Sequence, residues 1–353
     1  MIFWIFAIRY ALTINKLNSG EYTWFNIDNY RRKLATVLAL VPIFILMTLK
    51  GKSVGADTLD YYEYFKITRN LSLSKMFENR QEAGYQILVK ALNTVFTDPQ
   101  ILFIITGLFF CISIGVFVYK FSKNQTVAVV FYITLGLFAF MMTGLRQGIA
   151  MCICLYSFSY IKEKKIFQFL LLIWLAYYFH TSALFFIPAY FIANMKVDIK
   201  NFLIFILIFG FVMYFGEGLL IKIAVSTDYE QYAQIERTTN GQIFFAIVAI
   251  ITFFSLIYQK KILALNPYNY IFINLNYLNL MLWGLRLISR VAERPSLYYM
   301  FATVILFEQL VSSIDEISMR RTFYYGAIGL SLVLFFYRLN TNLMIVPYRF
   351  FWE

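Results

Sequence analysis

The amino-acid sequence predicts an all-α protein, a polytopic membrane bundle of about twelve transmembrane helices, forming a single transmembrane domain over residues 1–353. Three observations carry that expectation. The chain of 353 residues is 61% hydrophobic and 14% charged, where a soluble domain carries roughly 25% charged residues. Its apolar residues gather in runs of about the length that crosses a bilayer. Its basic residues fall in short turns between those runs, the pattern that orients polytopic proteins. The mean hydropathy of +0.67 agrees. A formal charge of +12 would suit nucleic acid, but distributed this way it orients helices, so no nucleic-acid partner is expected and the bilayer is.

In chain order the spans are expected near 2–15, 34–49, 100–119, 126–144, 146–161, 166–180, 182–195, 201–220, 242–259, 270–288, 296–314 and 322–338. The first is short, holds Arg9, and lacks the small-residue cleavage site of a signal peptide. Lys16 with Arg31, Arg32 and Lys33 forms one basic turn; Lys120 and Lys123, then Lys162, Lys164 and Lys165, form others. Lys196 and Lys200, Lys260 and Lys261, and Arg320 and Arg321 complete the set, which the positive-inside rule makes cytoplasmic. Both termini, a long loop at 50–99 and a smaller one at 216–241 then lie outside. Within the long loop, Tyr85, Leu88, Leu92 and Val95 share a helical face suited to the membrane interface or to packing on the bundle. Gly107, Cys111 and Gly115 repeat every four residues and read as a close helix contact. Cys111, Cys152 and Cys154 lie in apolar runs, so packing is expected and no metal site.

Chemistry concentrates in two places. In the stretch Gly144–Pro188, two apolar segments flank the basic turn at Lys162–Lys165, with Arg146 at one far end and His180, the only histidine, at the other. If both segments span, Arg146 and His180 reach the same outer side. Further on, Asn276, Asn279, Trp283, Arg286, Arg290 and Arg294 follow at spacings of three and four, as one polar face of the tenth helix. Membrane-buried charge is costly and usually functional, although pairing with Glu293 would also account for these arginines. Five potential cations at one surface suit a diphosphate, which guanidinium forks grip bidentately. Asp57, Asp60, Glu63 and Glu82 are acids of the long loop, beside that expected anion site. Arg9 and Glu308 are expected near the inner side, pairing structurally.

With those residues in hand, the chain resembles the EpsG-like branch of Wzy-type polysaccharide (O-antigen) polymerases. The resemblance runs from the second helix to the last, on VGADTLDYYEYF, EAGYQIL, GLRQGIA, FHTSALFFIP and SRVAERPSLYY, in that order. One departure is Lys50, where the family pattern leads one to expect arginine. The resemblance implies a glycosyltransferase C-like fold in the bacterial inner membrane, working at its outer face without a cofactor. The substrate would be oligosaccharide on undecaprenyl diphosphate, polymerised by transfer onto the terminal sugar of an incoming lipid-linked unit. A chain-length regulator protein is the implied partner. Asp57 is then the first choice for the base and Glu82 the second, with His180 orienting a phosphate or hydroxyl. Arg146, Arg286, Arg290 and Arg294 would hold the diphosphate. A lipid-linked oligosaccharide flippase, an O-antigen ligase and a membrane acyltransferase are the alternatives. A flippase should show two similar halves and cations deep in the bundle.

Overall fold

The computed structural model describes residues 25–78, 81–225, 240–339 and 344–353. The expected first span with Arg9 lies outside them, as does most of the loop at 216–241. Among the described residues the regular elements are helical. They are α1 (Phe25–Thr48), α2 (Thr58–Ile67), α3 (Leu73–Phe77), α4 (Ala83–Val95), α5 (Gln100–Phe121), α6 (Gln125–Thr134), α7 (Leu137–Thr143) and α8 (Leu145–Lys162). Then follow α9 (Ile166–Tyr177), α10 (Pro188–Ala193), α11 (Ile199–Val225), α12 (Asn240–Ile257), α13 (Gln259–Leu265), α14 (Tyr270–Arg286), α15 (Glu293–Ser312) and α16 (Ile317–Leu339). Short 3₁₀ turns occupy Thr68–Asn70, Thr181–Phe186, Pro267–Asn269 and Arg290–Ala292.

Every expected span from 34–49 onward falls on helix, but length and apolarity divide them. Among the described residues one helix, α5, is long and apolar enough to cross a membrane by itself, and up to three spans result if each bent pair is one. Those pairs are α6 with α7, bent by 59°, and Gly241–Ile257 with α13, bent by 82°. Twelve spans are thus not reached on this measure among the described residues. The physical reason is visible in the sequence. α8 carries Arg146, Gln147 and Lys162, and α14 carries three asparagines and Arg286. α9 has only 12 residues. Phe167, Leu171 and Trp174 nevertheless stand 83%, 62% and 56% exposed on α9, an apolar surface that fits a membrane protein.

The chain divides into two compact units, each described by itself. The first comprises Met1–Tyr156, Trp174–Thr181 and Arg321–Glu353. Its backbone is the antiparallel pair α1 and α5, brought close by small residues. A Cβ on Gly107 would lie 2.7 Å from the Thr48 side chain, and one on Gly115 would lie 2.9 Å from that of Leu40. The Arg32 guanidinium donates to the Tyr119 and Ser122 carbonyls and so closes the end of α5. Residues 50–99, expected as a loop, are largely helical. There α4 packs on α2 and on α5, so the amphipathic stretch serves packing. The buried face is Tyr85, Gln86, Val89 and Asn93, while Val95 is 72% exposed. The expected face is therefore rotated. A strap at 344–353 pairs with the start of this region through an antiparallel bridge, Lys50 to Phe350. Gly51 and Gly55 donate to the carbonyls of Arg349 and Met344, both at 2.8 Å.

The second unit comprises Ser157–Ile173 and Ser182–Arg320. Its centre is α14, buried between α12 and α15. Asn276 donates to Thr252 at 2.7 Å and accepts from Thr303 at 2.7 Å, and Asn279 donates to Thr303 at 2.6 Å. Asn274 donates to the carbonyls of Ala193 and Met195 at the end of α10. Buried amides must find such partners, so the polar face of α14 is spent on joining helices. Phe158, Phe186 and Phe272 fill the space beside them. Glu308 is fully buried and accepts from Ser312 at 2.8 Å.

Candidate functional site

The first unit builds its polar pocket from the turn after α1. Gly55 has a φ of +101°, which disfavours any side chain, and a Cβ there would meet the Met142 carbonyl at 2.9 Å. Thr58 N–H closes the turn on the Gly55 carbonyl at 3.1 Å. Asp57 takes the position just before α2, half-buried. Lys50 is buried beneath this turn. Its ammonium donates to Thr58 Oγ1 at 2.9 Å and to the Met142 carbonyl, and lies 4.7 Å from the Phe103 ring centre. Burial pushes the Lys50 amine down to about 7, against the pull of Asp57. Lys50 therefore ties the Asp57 turn to the chain just ahead of α8, and its ammonium is used inside the protein.

Glu82, Arg146 and His180 come together although they are far apart in sequence. Glu82 precedes α4, Arg146 sits in the first turn of α8, and His180 follows α9. The Arg146 guanidinium is ion-paired with Glu82 Oε2, with the side chains 32% and 15% exposed. His180 Nδ1 lies 3.8 Å from the other oxygen, Oε1. One backbone contact brings the two segments this close: Gly84 N–H donates to the Tyr178 carbonyl at 2.8 Å. A Cβ at Gly84 would lie 2.8 Å from that oxygen, so only glycine allows the approach. Arg146 and His180 thus lie near each other within this unit, with a carboxylate between them.

Two tyrosines complete the pocket. Arg146 donates to the Tyr61 hydroxyl from both its side chain and its backbone N–H. The Arg146 guanidinium lies 5.9 Å from the Tyr85 ring centre, and Tyr85 packs edge-on against Tyr61 at 5.7 Å. Burial pushes both phenols up, and at Tyr61 the neighbouring arginine opposes it. Both are therefore neutral hydroxyls at neutral pH. Asp57 interacts electrostatically with Tyr61 as well as with Lys50. Tyr61 went unremarked in the sequence. Its spacing of four from Asp57 is the signal, one helical turn that sets Tyr61 above the residue opening α2.

The second unit holds the remaining arginines, and here the single-face expectation needs correction. α14 ends at Arg286, and Ser289 is extended (φ −140°, ψ 134°). Arg290 opens a 3₁₀ turn and Arg294 lies in the first turn of α15. The helical spacing fails because the chain turns at 287–289, where the Leu287, Ile288 and Ser289 N–H groups fold back onto Gly284 and Leu285 carbonyls. Arg286 is buried and its Nε donates to Glu293 Oε2 at 2.7 Å. That is the pairing the sequence offered as its structural explanation.

Glu63, by contrast, is exposed and 3.8 Å from Lys66, an ordinary surface pair. A sequence model described as the EpsG family matches residues 33–350. No curated protein and no solved structure matches the chain.

Proposed function

The chain belongs to the EpsG family, and from that we propose a polymerase of lipid-linked oligosaccharide repeat units. Family membership suggests a membrane glycosyltransferase or polymerase-like role; the finer reading is ours. Glycan leaves undecaprenyl diphosphate and joins the terminal sugar of an incoming lipid-linked unit, at the outer face of the bacterial inner membrane. A bundle of about twelve spans with a glycosyltransferase C-like arrangement goes with it, and a chain-length regulator is the partner to look for.

The observation that carries the reading is the Glu82 carboxylate lying between Arg146 and His180. In the transfer, the anomeric carbon–phosphate oxygen bond breaks and a bond to the acceptor hydroxyl forms. The hydroxyl proton needs a base, and the departing diphosphate needs positive charge. Arg146 supplies that charge. Of the two candidate bases, geometry favours Glu82, because His180 lies beside it to orient the acceptor. Asp57, with Lys50 and Tyr61 as its neighbours, is the second choice. Arg286, Arg290 and Arg294 are also read as phosphate ligands, with Arg286 steadied by Glu293.

The experiment is glycan length in a strain lacking this protein. Surface glycan reduced to single repeat units is the expected result. Complete absence of surface glycan would instead mark a flippase or a ligase.

A further inference from the structure

Arg146 meets a carboxylate where the reading above puts a phosphate. Two of its other neighbours are fixed in place: Tyr61 and Tyr85 lie in helices α2 and α4 and are 7% and 0% exposed. Glu82 is held differently. It stands just before α4 in extended backbone (φ −62°, ψ 131°), and its side chain makes no bond to the helix start. A rotation about its side-chain bonds therefore takes the carboxylate off Arg146 while the backbone stays put. His180 Nδ1, 3.8 Å from the second carboxylate oxygen, gives it somewhere to go.

We propose that Glu82 closes the anion site at rest, so that a diphosphate reaches Arg146 only by displacing the Glu82 carboxylate towards His180. The proposal rests on Arg146 being the diphosphate ligand. No covalent bond changes; one anion replaces another on the same guanidinium. The consequence is an order of events. While paired with Arg146, the carboxylate is occupied by the guanidinium and not turned to an acceptor hydroxyl. Donor binding removes that cation from it and makes Glu82 a base only when there is a glycan to transfer.

The test is binding of inorganic pyrophosphate and of farnesyl diphosphate to the purified full chain in detergent, by calorimetry. If the paired form dominates at rest, apparent affinity falls by the open fraction, so Glu82→Gln should bind both probes at least about tenfold more tightly than wild type. Glu82→Ala should move the same way. Glu63→Gln removes one charge from the neighbouring helix α2 but leaves the pair, so its affinity should stay within about threefold of wild type. Affinity in Glu82→Gln equal to or below wild type, or no binding at all, overturns the proposal. So does equal tightening by Glu63→Gln, which would mean a general charge effect. Arg146→Ala separates the two levels: if it binds pyrophosphate like wild type, the reading of Arg146 itself fails. Should it lose binding while Glu82→Gln gains none, only the displacement falls.

Discussion

At the scale of single residues, the guanidinium of Arg146 has more partners than a surface anchor needs. It meets a carboxylate, a phenol and an aromatic face in one pocket. A lysine there would keep the charge but not the two-pronged grip on a phosphate. Arg146→Ala is expected to slow elongation by about 30-fold or more, the cost of about 2 kcal/mol or above for a desolvated charged pair, and Arg146→Lys to restore little. Rates of repeat-unit addition at matched protein level check this. Lys50 gives a pH prediction. Its folded value of about 7 lies below the unfolded 10.5. Between those values the unfolded chain binds more protons, so this group makes stability rise with pH and reach its full penalty below about 7. The gain spans up to about 5 kcal/mol. Lys50→Met should flatten the rise between pH 7 and 10, measured as the midpoint of thermal unfolding in detergent; an unchanged slope would refute it. Arg146 and His180 were legible in the sequence because charge in apolar runs is rare and the histidine is single. Tyr61 was not, being one of 27 tyrosines. Nor was the pairing of Arg146 with Glu82 across 64 residues, which only the fold creates.

Among the elements, the contact of α4 with the chain after α9 decides the geometry of the site. Gly84→Ala places a methyl group 2.8 Å from the Tyr178 carbonyl, and overpacking of this kind costs about 1–3 kcal/mol. The variant should unfold at lower temperature and lose activity beyond that, because Glu82 and His180 are carried on the two segments forced apart. Wild-type elongation in a destabilised Gly84→Ala would show that this contact serves stability alone. Helix existence was readable from apolar runs, and the Gly107–Gly115 contact from its spacing. Two details were not. The buried face of α4 includes Gln86 and Asn93, polar residues that a hydrophobic pattern passes over. The arginine stripe broke because 287–289 turns, although Leu287 and Ile288 are as apolar as the residues of a helix interior.

For the whole molecule, the alternation of basic turns fixes the expected orientation. A cysteine in place of Ser289 should react with a membrane-impermeant reagent in intact cells, and one in place of Lys164 should react only after permeabilisation. The reverse labelling would turn the molecule over and move the reaction to the other face. The helical class was plain from composition, but the number of spans was not. Bent pairs and helices diluted by arginine and asparagine blur where one crossing ends and the next begins.

The most direct measurement of the central claim is elongation by purified protein supplied with lipid-linked repeat units, read as a ladder of glycan lengths. Glu82→Gln keeps the shape of the side chain but removes its proton acceptor, a role worth about 10²–10⁴-fold. It should give almost only single units, as should Arg146→Ala, while Glu63→Gln gives the full ladder and Asp57→Asn falls between. Full ladders from both Glu82→Gln and Arg146→Ala would contradict the account, and with it the assignment of this pocket to glycan transfer.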